Sequence, residues 1–343
     1  MLIKITQQSR IPLFGLDFIG VLDRGSNLIE IRPTTLCNLR CGYCYANANS
    51  GNYNNEFEVE ESYLVDAFEQ VARFKNIADI EAHVDPYGEA LLYKDVFRLV
   101  KDLKGIKGVV KASMQSNGTL LTEDSIAKLK GAGLDQINVT INSMDPALAK
   151  KLSCRDDYNL DKLLATLNLL PERGIDVVLT PVWFFGVNDA EIEKIIVFYK
   201  GLKERFPRLN KVRLGIQNYL VYKTGRKLGK VRERDFSYFY KQLRALEKKH
   251  GTKLVLGPRD FGIHPAPVYR FTGVDAIRRN ESIAVEIVSP GRQEREFIGN
   301  TDGWGVKVVN FSREYIDPAK KPVIKVPAVS FEVKGNLASV ILK

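Results

Sequence analysis

Residues 33–44 read Pro33-Thr34-Thr35-Leu36-Cys37-Asn38-Leu39-Arg40-Cys41-Gly42-Tyr43-Cys44, and they hold three of the chain's four cysteines. The spacing is three residues, then two. Four cysteines are too few for a disulfide framework in 343 residues, so the cluster points to metal binding or redox chemistry. A structural zinc normally takes four protein ligands, and a [4Fe–4S] cube usually takes four as well. Three ligands leave one iron open, as a cluster that binds a substrate or cofactor requires. A zinc loop is the competing reading.

Outward from this loop the chain alternates. A strand over 28–32 feeds the cysteines, with a short hairpin around Asp23-Arg24-Gly25-Ser26 before it. Helical periodicity over 58–75 (Leu64, Phe68, Val71, Phe74) is followed by a strand over 80–85 and a helix over 94–104. Strands over 109–115, 136–141, 176–183 and 211–217 then alternate with helices from Thr122 to about Gly131 and over 160–170 and 190–206; a helix over 234–250 closes the series. Strands separated by helices imply βαβ units with right-handed crossovers and a parallel sheet. About six units are fewer than a closed eightfold barrel needs, so the fold expected is α/β, a partial parallel (β/α)6 barrel. Active sites in such sheets lie at the C-terminal ends of the strands. After residue 270 the texture changes to short β-branched stretches (284–288, 297–298, 306–310, 323–326, 330–333, 338–342) separated by turns such as Ser289-Pro290-Gly291, which reads as a small β-barrel. The expected organisation is a lead-in over 1–27, the partial barrel over 28–258 and the small barrel over 270–343.

The C-x3-C-x2-C loop, with Tyr43 before its last cysteine and a strand before its first, resembles the radical S-adenosylmethionine (SAM) superfamily. The resemblance covers about residues 28–220. It implies that Cys37, Cys41 and Cys44 hold one [4Fe–4S] cluster whose open iron binds SAM. It implies further that SAM is cleaved to a 5′-deoxyadenosyl radical that abstracts a substrate hydrogen, with electrons from a donor such as ferredoxin or flavodoxin. Asp85-Pro86-Tyr87-Gly88-Glu89 stands where the family carries Gly-Gly-Glu-Pro to receive the SAM ammonium; Gly88 and Glu89 match, while Tyr87 and Ala90 depart. Ser116 and Asn117 open a turn that resembles the family's turn near SAM. Thr140 and Asn142 stand where polar groups meet the ribose or carboxylate, and the backbone of Tyr43 where the adenine lies. Each has a plainer reading: Glu89 at a helix N-terminus, Asn117 as a turn residue, Thr140 and Asn142 facing solvent, and Tyr43 as packing.

Cys154 stands alone in Lys-Leu-Ser-Cys-Arg-Asp. It reads either as a small buried hydrophobe or as a catalytic thiol near the radical. No second cysteine set exists, which excludes an auxiliary cluster and the relatives that depend on one. His83, His250 and His264 are isolated and are assigned to no metal.

The formal net charge is +10, and residues 200–250 hold 16 Lys and Arg against 4 acidic residues. Clustered cations attract polyanions; the plain alternative is a solvated helix face. The stretch interleaves Tyr219, Tyr222, Phe236, Tyr238, Phe239 and Tyr240, and its loop over 222–230 is glycine-rich and basic. Lys223, Arg226, Lys227 and Lys230 are the candidate phosphate contacts, with tyrosines to stack unpaired bases. Residues 285–296 resemble the TRAM domain, a small RNA-binding β-barrel. The sequence reading is therefore a cytoplasmic enzyme without a membrane span, modifying RNA and tRNA first. The alternatives are radical SAM modification of a protein, peptide or small phosphorylated metabolite, and a zinc-bound RNA-binding module without catalysis.

Overall fold

The computed structural model describes residues 1–51, 53–207, 212–270, 282–309 and 323–327. In chain order the elements are β1 (Leu2–Ile5), β2 (Gly20–Asp23), β3 (Leu28–Arg32), β4 (Glu56–Val59), α1 (Glu61–Lys75), β5 (Ile80–Val84), α2 (Val96–Gly105), β6 (Val109–Ser116), α3 (Glu123–Gly131), β7 (Gln136–Val139), α4 (Pro146–Ser153) and α5 (Leu160–Glu172). There follow β8 (Asp176–Leu179), β9 (Val182–Trp183), α6 (Asp189–Arg205), β10 (Val212–Leu214), β11 (Gln217–Asn218), α7 (Phe236–His250), β12 (Ser282–Pro290), β13 (Glu296–Thr301), β14 (Trp304–Val309) and β15 (Val323–Pro327). The expected alternation is present. The stretches over 330–333 and 338–342 lie outside the described residues, as do Lys211 and Asn310.

The chain forms two compact units, each built from separated segments. One joins Met1–Leu36, Asn49–Val110 and His264–Lys343; the other joins Cys37–Ala48 and Lys111–Ile263. In the first, β2 and β3 are the expected hairpin, paired antiparallel from Gly20↔Arg32 to Asp23↔Ile29. The register places β3 parallel to β5, and β1 runs parallel to β4. Helix α1 buries Leu64, Ala67, Phe68 and Val71 at helical spacing, and Asn76 ends it in the left-handed region at φ 47°. The expected helix over 58–75 is three residues shorter at its start, because residues 56–59 extend to pair with β1.

The last segment of this unit is a four-stranded antiparallel sheet, ordered β14-β13-β12-β15. It sits against the N-terminal residues: Trp304 crowds Gly15, and Asn300 donates to the Arg10 carbonyl at 3.1 Å. The turn before β13 is tied into the unit by Asn55 donating to the Gly291 carbonyl at 2.8 Å. A buried ion pair anchors the unit. Lys75 Nζ lies 2.9 Å from Asp23 Oδ1, and neither side chain is exposed. The carboxylate also accepts the N–H groups of Gly25 and Tyr269, and the ammonium donates to the Pro267 carbonyl. Such added hydrogen bonds are what let a charge pair stay buried, because its desolvation otherwise exceeds its attraction.

The second unit holds a parallel run in which β7 pairs with β6 and β8, and β8 with β10; β9 and β11 pair separately. Helix α3 starts at a reciprocal cap between Thr122 and Ser125. Helix α4 has Pro146 in its first turn and Asp145 accepting the Ala147 N–H at 3.0 Å. Leu152, Phe184 and Tyr219 form a buried apolar cluster, joined by the half-buried Tyr43, Val182 and Leu228. The cysteine loop is laid over this cluster.

Candidate iron–sulfur centre

Cys37, Cys41 and Cys44 are half-buried, on a loop tied down by its own backbone and by five neighbouring segments. The N–H groups of Arg40 and Gly42 donate to the carbonyls of Ser153 and Leu152 at 3.2 and 3.0 Å, and that of Cys44 to the Cys41 carbonyl at 3.2 Å. The Asn38 amide donates to Thr119 Oγ1 at 2.8 Å, while Asn117 donates to Asn38 Oδ1 at 2.9 Å and accepts the Thr119 N–H at 3.0 Å. The Tyr43 ring lies 4.7 Å, centroid to centroid, from Phe184. Its hydroxyl accepts from the Asn142 amide, and Asn142 Oδ1 accepts the Val182 N–H at 2.8 Å.

The fifth tie comes from the basic loop. The Arg226 backbone N–H donates to the Cys44 carbonyl at 2.9 Å. Its Nε donates to the Cys41 carbonyl at 2.6 Å, and its Nη1 to Asn47 Oδ1 and the Ala48 carbonyl at 3.1 and 2.8 Å. The loops meet so closely that a Cβ on Gly225 would lie 3.0 Å from Tyr45 Cα and 3.1 Å from the Cys44 carbonyl oxygen. Lys223, Lys227 and Lys230, in contrast, are exposed. Tyr45 and Tyr222 are 40% and 49% exposed, with ring centroids 5.8 Å apart.

The electrostatics reflect this crowding. Burial, and then the neighbouring Cys44, push the Cys41 thiol up to about 12; the Tyr43 hydroxyl and the Arg226 guanidinium pull the other way. Burial and the Cys41 charge likewise hold the Tyr43 hydroxyl well above the ordinary phenol range.

The remaining candidate residues are placed as follows. Ser116 is buried and accepts the Gly118 N–H at 2.9 Å. Thr140 accepts from Gln115 at 3.2 Å. Cys154 is exposed, not buried, and ends α4 in the left-handed region. Its Sγ lies 3.6 Å from where a Cβ on Gly42 would stand, which brings the fourth thiol to the cysteine loop. Gly88 and Glu89 belong to the other unit. A Cβ on Gly88 would stand 1.9 Å from the Leu36 carbonyl oxygen, so only glycine fits there. Glu89 is buried, and its carboxylate accepts the Leu91 N–H at 3.2 Å. Tyr87, which departs from the family pattern, lies between two buried guanidinium groups: Arg32 at 5.3 Å and Arg292 at 5.0 Å from the ring centroid.

Several contributors were not legible in the sequence. Asn38 lies within the cysteine loop and Thr119 within the turn opened by Ser116, but nothing in the sequence joins the two, and Arg292 is remote along the chain. The inward turn of Arg226 had one signal, the glycine before it, which permits close approach.

A family model described as the radical SAM superfamily matches residues 31–199. An uncharacterized protein of Methanocaldococcus jannaschii is 33% identical over 321 residues, which are 89% of this chain and 73% of that one. The GTP 3′,8-cyclase of Nautilia profundicola is 30% identical over 55% of this chain and 58% of its own length; the probable GTP 3′,8-cyclase of Methanosarcina mazei is 32% identical over 50% and 51%. The chain therefore spans little more than half of the cyclases it matches. Among solved structures, Streptococcus suis SuiB bound to S-adenosylmethionine superposes with a TM-score of 0.51 at 16% identity, over 67% of this chain and 49% of that one. HydG, a maturase of the [FeFe]-hydrogenase, gives 0.55 at 13% identity, over 68% and 53%. These likenesses show the fold.

The chain belongs to the radical SAM superfamily. It is an enzyme of that class, using SAM and an iron–sulfur cluster, and the non-enzymatic zinc module is set aside. The donor set agrees. Three half-buried thiols beside a cationic side chain suit such a cluster.

Proposed function

We propose that Cys37, Cys41 and Cys44 carry one [4Fe–4S] cluster and that the enzyme modifies a structured RNA, tRNA first. The observation that carries the substrate reading is the loop over 222–230. One side of it, Gly225 and Arg226, lies on the cysteine loop, while Lys223, Lys227 and Lys230 face solvent. A phosphate chain drawn to these lysines would hold a nucleotide beside the cluster. Tyr45 and Tyr222 offer exposed aromatic faces next to Cys44 for an unpaired base.

With both cofactors bound, the centre supplies the hydrogen-abstracting radical. The chain's own residues hold the loop, orient the nucleotide and exclude water from Cys41. The electron comes from an external donor of the ferredoxin or flavodoxin kind. By resemblance to the family, Gly88 and Glu89 in one unit, and Ser116, Asn117, Thr140, Asn142 and Tyr43 in the other, are assigned to contacts with SAM, and Cys154 is the candidate thiol beside the reaction. The position is cytoplasmic, in keeping with an intact cluster; no helix among the described residues is long and apolar enough to cross a membrane.

A second reading is favoured by the relatives that are GTP 3′,8-cyclases: a free nucleotide, held by the same lysines and tyrosines. Anaerobic protein with a full iron complement, given SAM and dithionite, separates the two. Stimulation of 5′-deoxyadenosine release by tRNA and not by GTP is expected. Stimulation by GTP alone would move the assignment to the nucleotide, and stimulation by neither would defeat both.

A further inference from the structure

The sequence suggested that Arg226 meets phosphate, yet its side chain is committed elsewhere. Three of its hydrogen bonds go to Cys41, Asn47 and Ala48, and all three acceptors are neutral oxygens. Its Nη2 is buried without a hydrogen-bond partner. A guanidinium held in this way is costly unless an anion lies close. It is also the side chain best suited to serve several acceptors at once, because its donors are fixed in a plane. The anion nearest to hand is the centre that the cysteine loop is built to hold.

We propose that Arg226 is a positioning residue of the iron–sulfur centre. It latches the cysteine loop through Nε and Nη1 and donates an Nη2 proton to a cluster-bound sulfur. Both the positive charge and the N–H···S bond favour the reduced cluster and so raise its reduction potential. This inference rests on the assignment of Cys37, Cys41 and Cys44 as ligands, and not on the RNA reading.

The test uses reconstituted full-length protein and does not depend on turnover. Wild-type protein labelled with [15N]arginine is reduced and examined by pulsed EPR. A 15N coupling to the cluster is expected, and it should vanish in Arg226→Lys. Redox titration of Arg226→Lys should give a midpoint potential more negative than wild type although the charge is kept, because lysine cannot span the loop and the cluster together. Arg226→Gln should retain no more than about half the wild-type iron, since the latch is lost. Absence of the 15N coupling in iron-replete wild type would overturn the proposal, as would a wild-type potential in both variants at full iron. Wild-type protein that takes up no iron would instead overturn the ligand assignment.

Discussion

Asn142 joins the cysteine loop to the strand beyond it: its amide donates to the Tyr43 hydroxyl while its carbonyl accepts the Val182 N–H at 2.8 Å. Both ends of one short side chain are thereby occupied, at 8% exposure. Asn142→Ala leaves the Val182 N–H and the Tyr43 hydroxyl without these partners. Stranded buried polar groups cost about 1–3 kcal/mol, so urea unfolding of Asn142→Ala should show a loss in that range. Asn142→Asp, which keeps the acceptor but not the donor, should lose less.

Gly88→Ala places a methyl group against the Leu36 carbonyl oxygen, where the separation would be 1.9 Å. Overpacking against backbone costs about 1–3 kcal/mol or more, because the backbone itself must move. A fall in Tm is expected, with weaker SAM binding by calorimetry because the displaced segment carries Glu89. An unchanged Tm would mean that the strand end is free to shift.

Cys41→Ala should remove the cluster and with it all SAM cleavage, read as iron content and 5′-deoxyadenosine. Cys154→Ala should keep the iron, since the loop already supplies three thiols. Loss of iron from Cys154→Ala would make this cysteine a ligand.

Glu61, at the start of α1, has its carboxyl raised to about 7, chiefly by burial and by its hydrogen bond to Asp102, against the pull of Arg98. Between about pH 4.5 and 7 the folded protein then binds more protons than the unfolded chain, so stability falls as pH rises and levels off above 7. Glu61→Gln should flatten this slope and raise Tm at pH 8 by about 2 °C or more, with little change near pH 4.5. Equal pH profiles by calorimetry would refute the assignment.

Replacing Lys223, Lys227 and Lys230 by Gln should weaken tRNA binding and reduce the slope of log affinity against log salt by about 2 to 3. An unaltered slope would mean that these lysines do not meet phosphate.

The strand–helix alternation was legible because buried strands and amphipathic helices differ in period, and the cysteine loop because its spacing is local. Helix α4 was missed: Asp145-Pro146 is a good helix start, but eight residues give too short a periodic signal. Strand β4 was absorbed into the following helix, since four residues pairing with a remote segment leave little trace in sequence. The candidate site stood out in the sequence where its residues are local, at Cys37, Cys41 and Cys44. It was misleading at Arg226, whose charge suggested an outward ligand while the preceding Gly225 allowed an inward turn. Nothing local in the sequence pairs Arg292 with Tyr87, because their meeting depends on segments about two hundred residues apart.

The unit that contains Asp23 and Lys75 also draws on Pro267 and Tyr269. During synthesis the ribosome delivers the first two of these residues long before the last two. Until then the ammonium and carboxylate lack two of their partners, so the N-terminal segments remain incompletely closed while the cysteine loop and its neighbours emerge. Closure of the ion pair therefore waits on residues about 190 positions beyond Lys75.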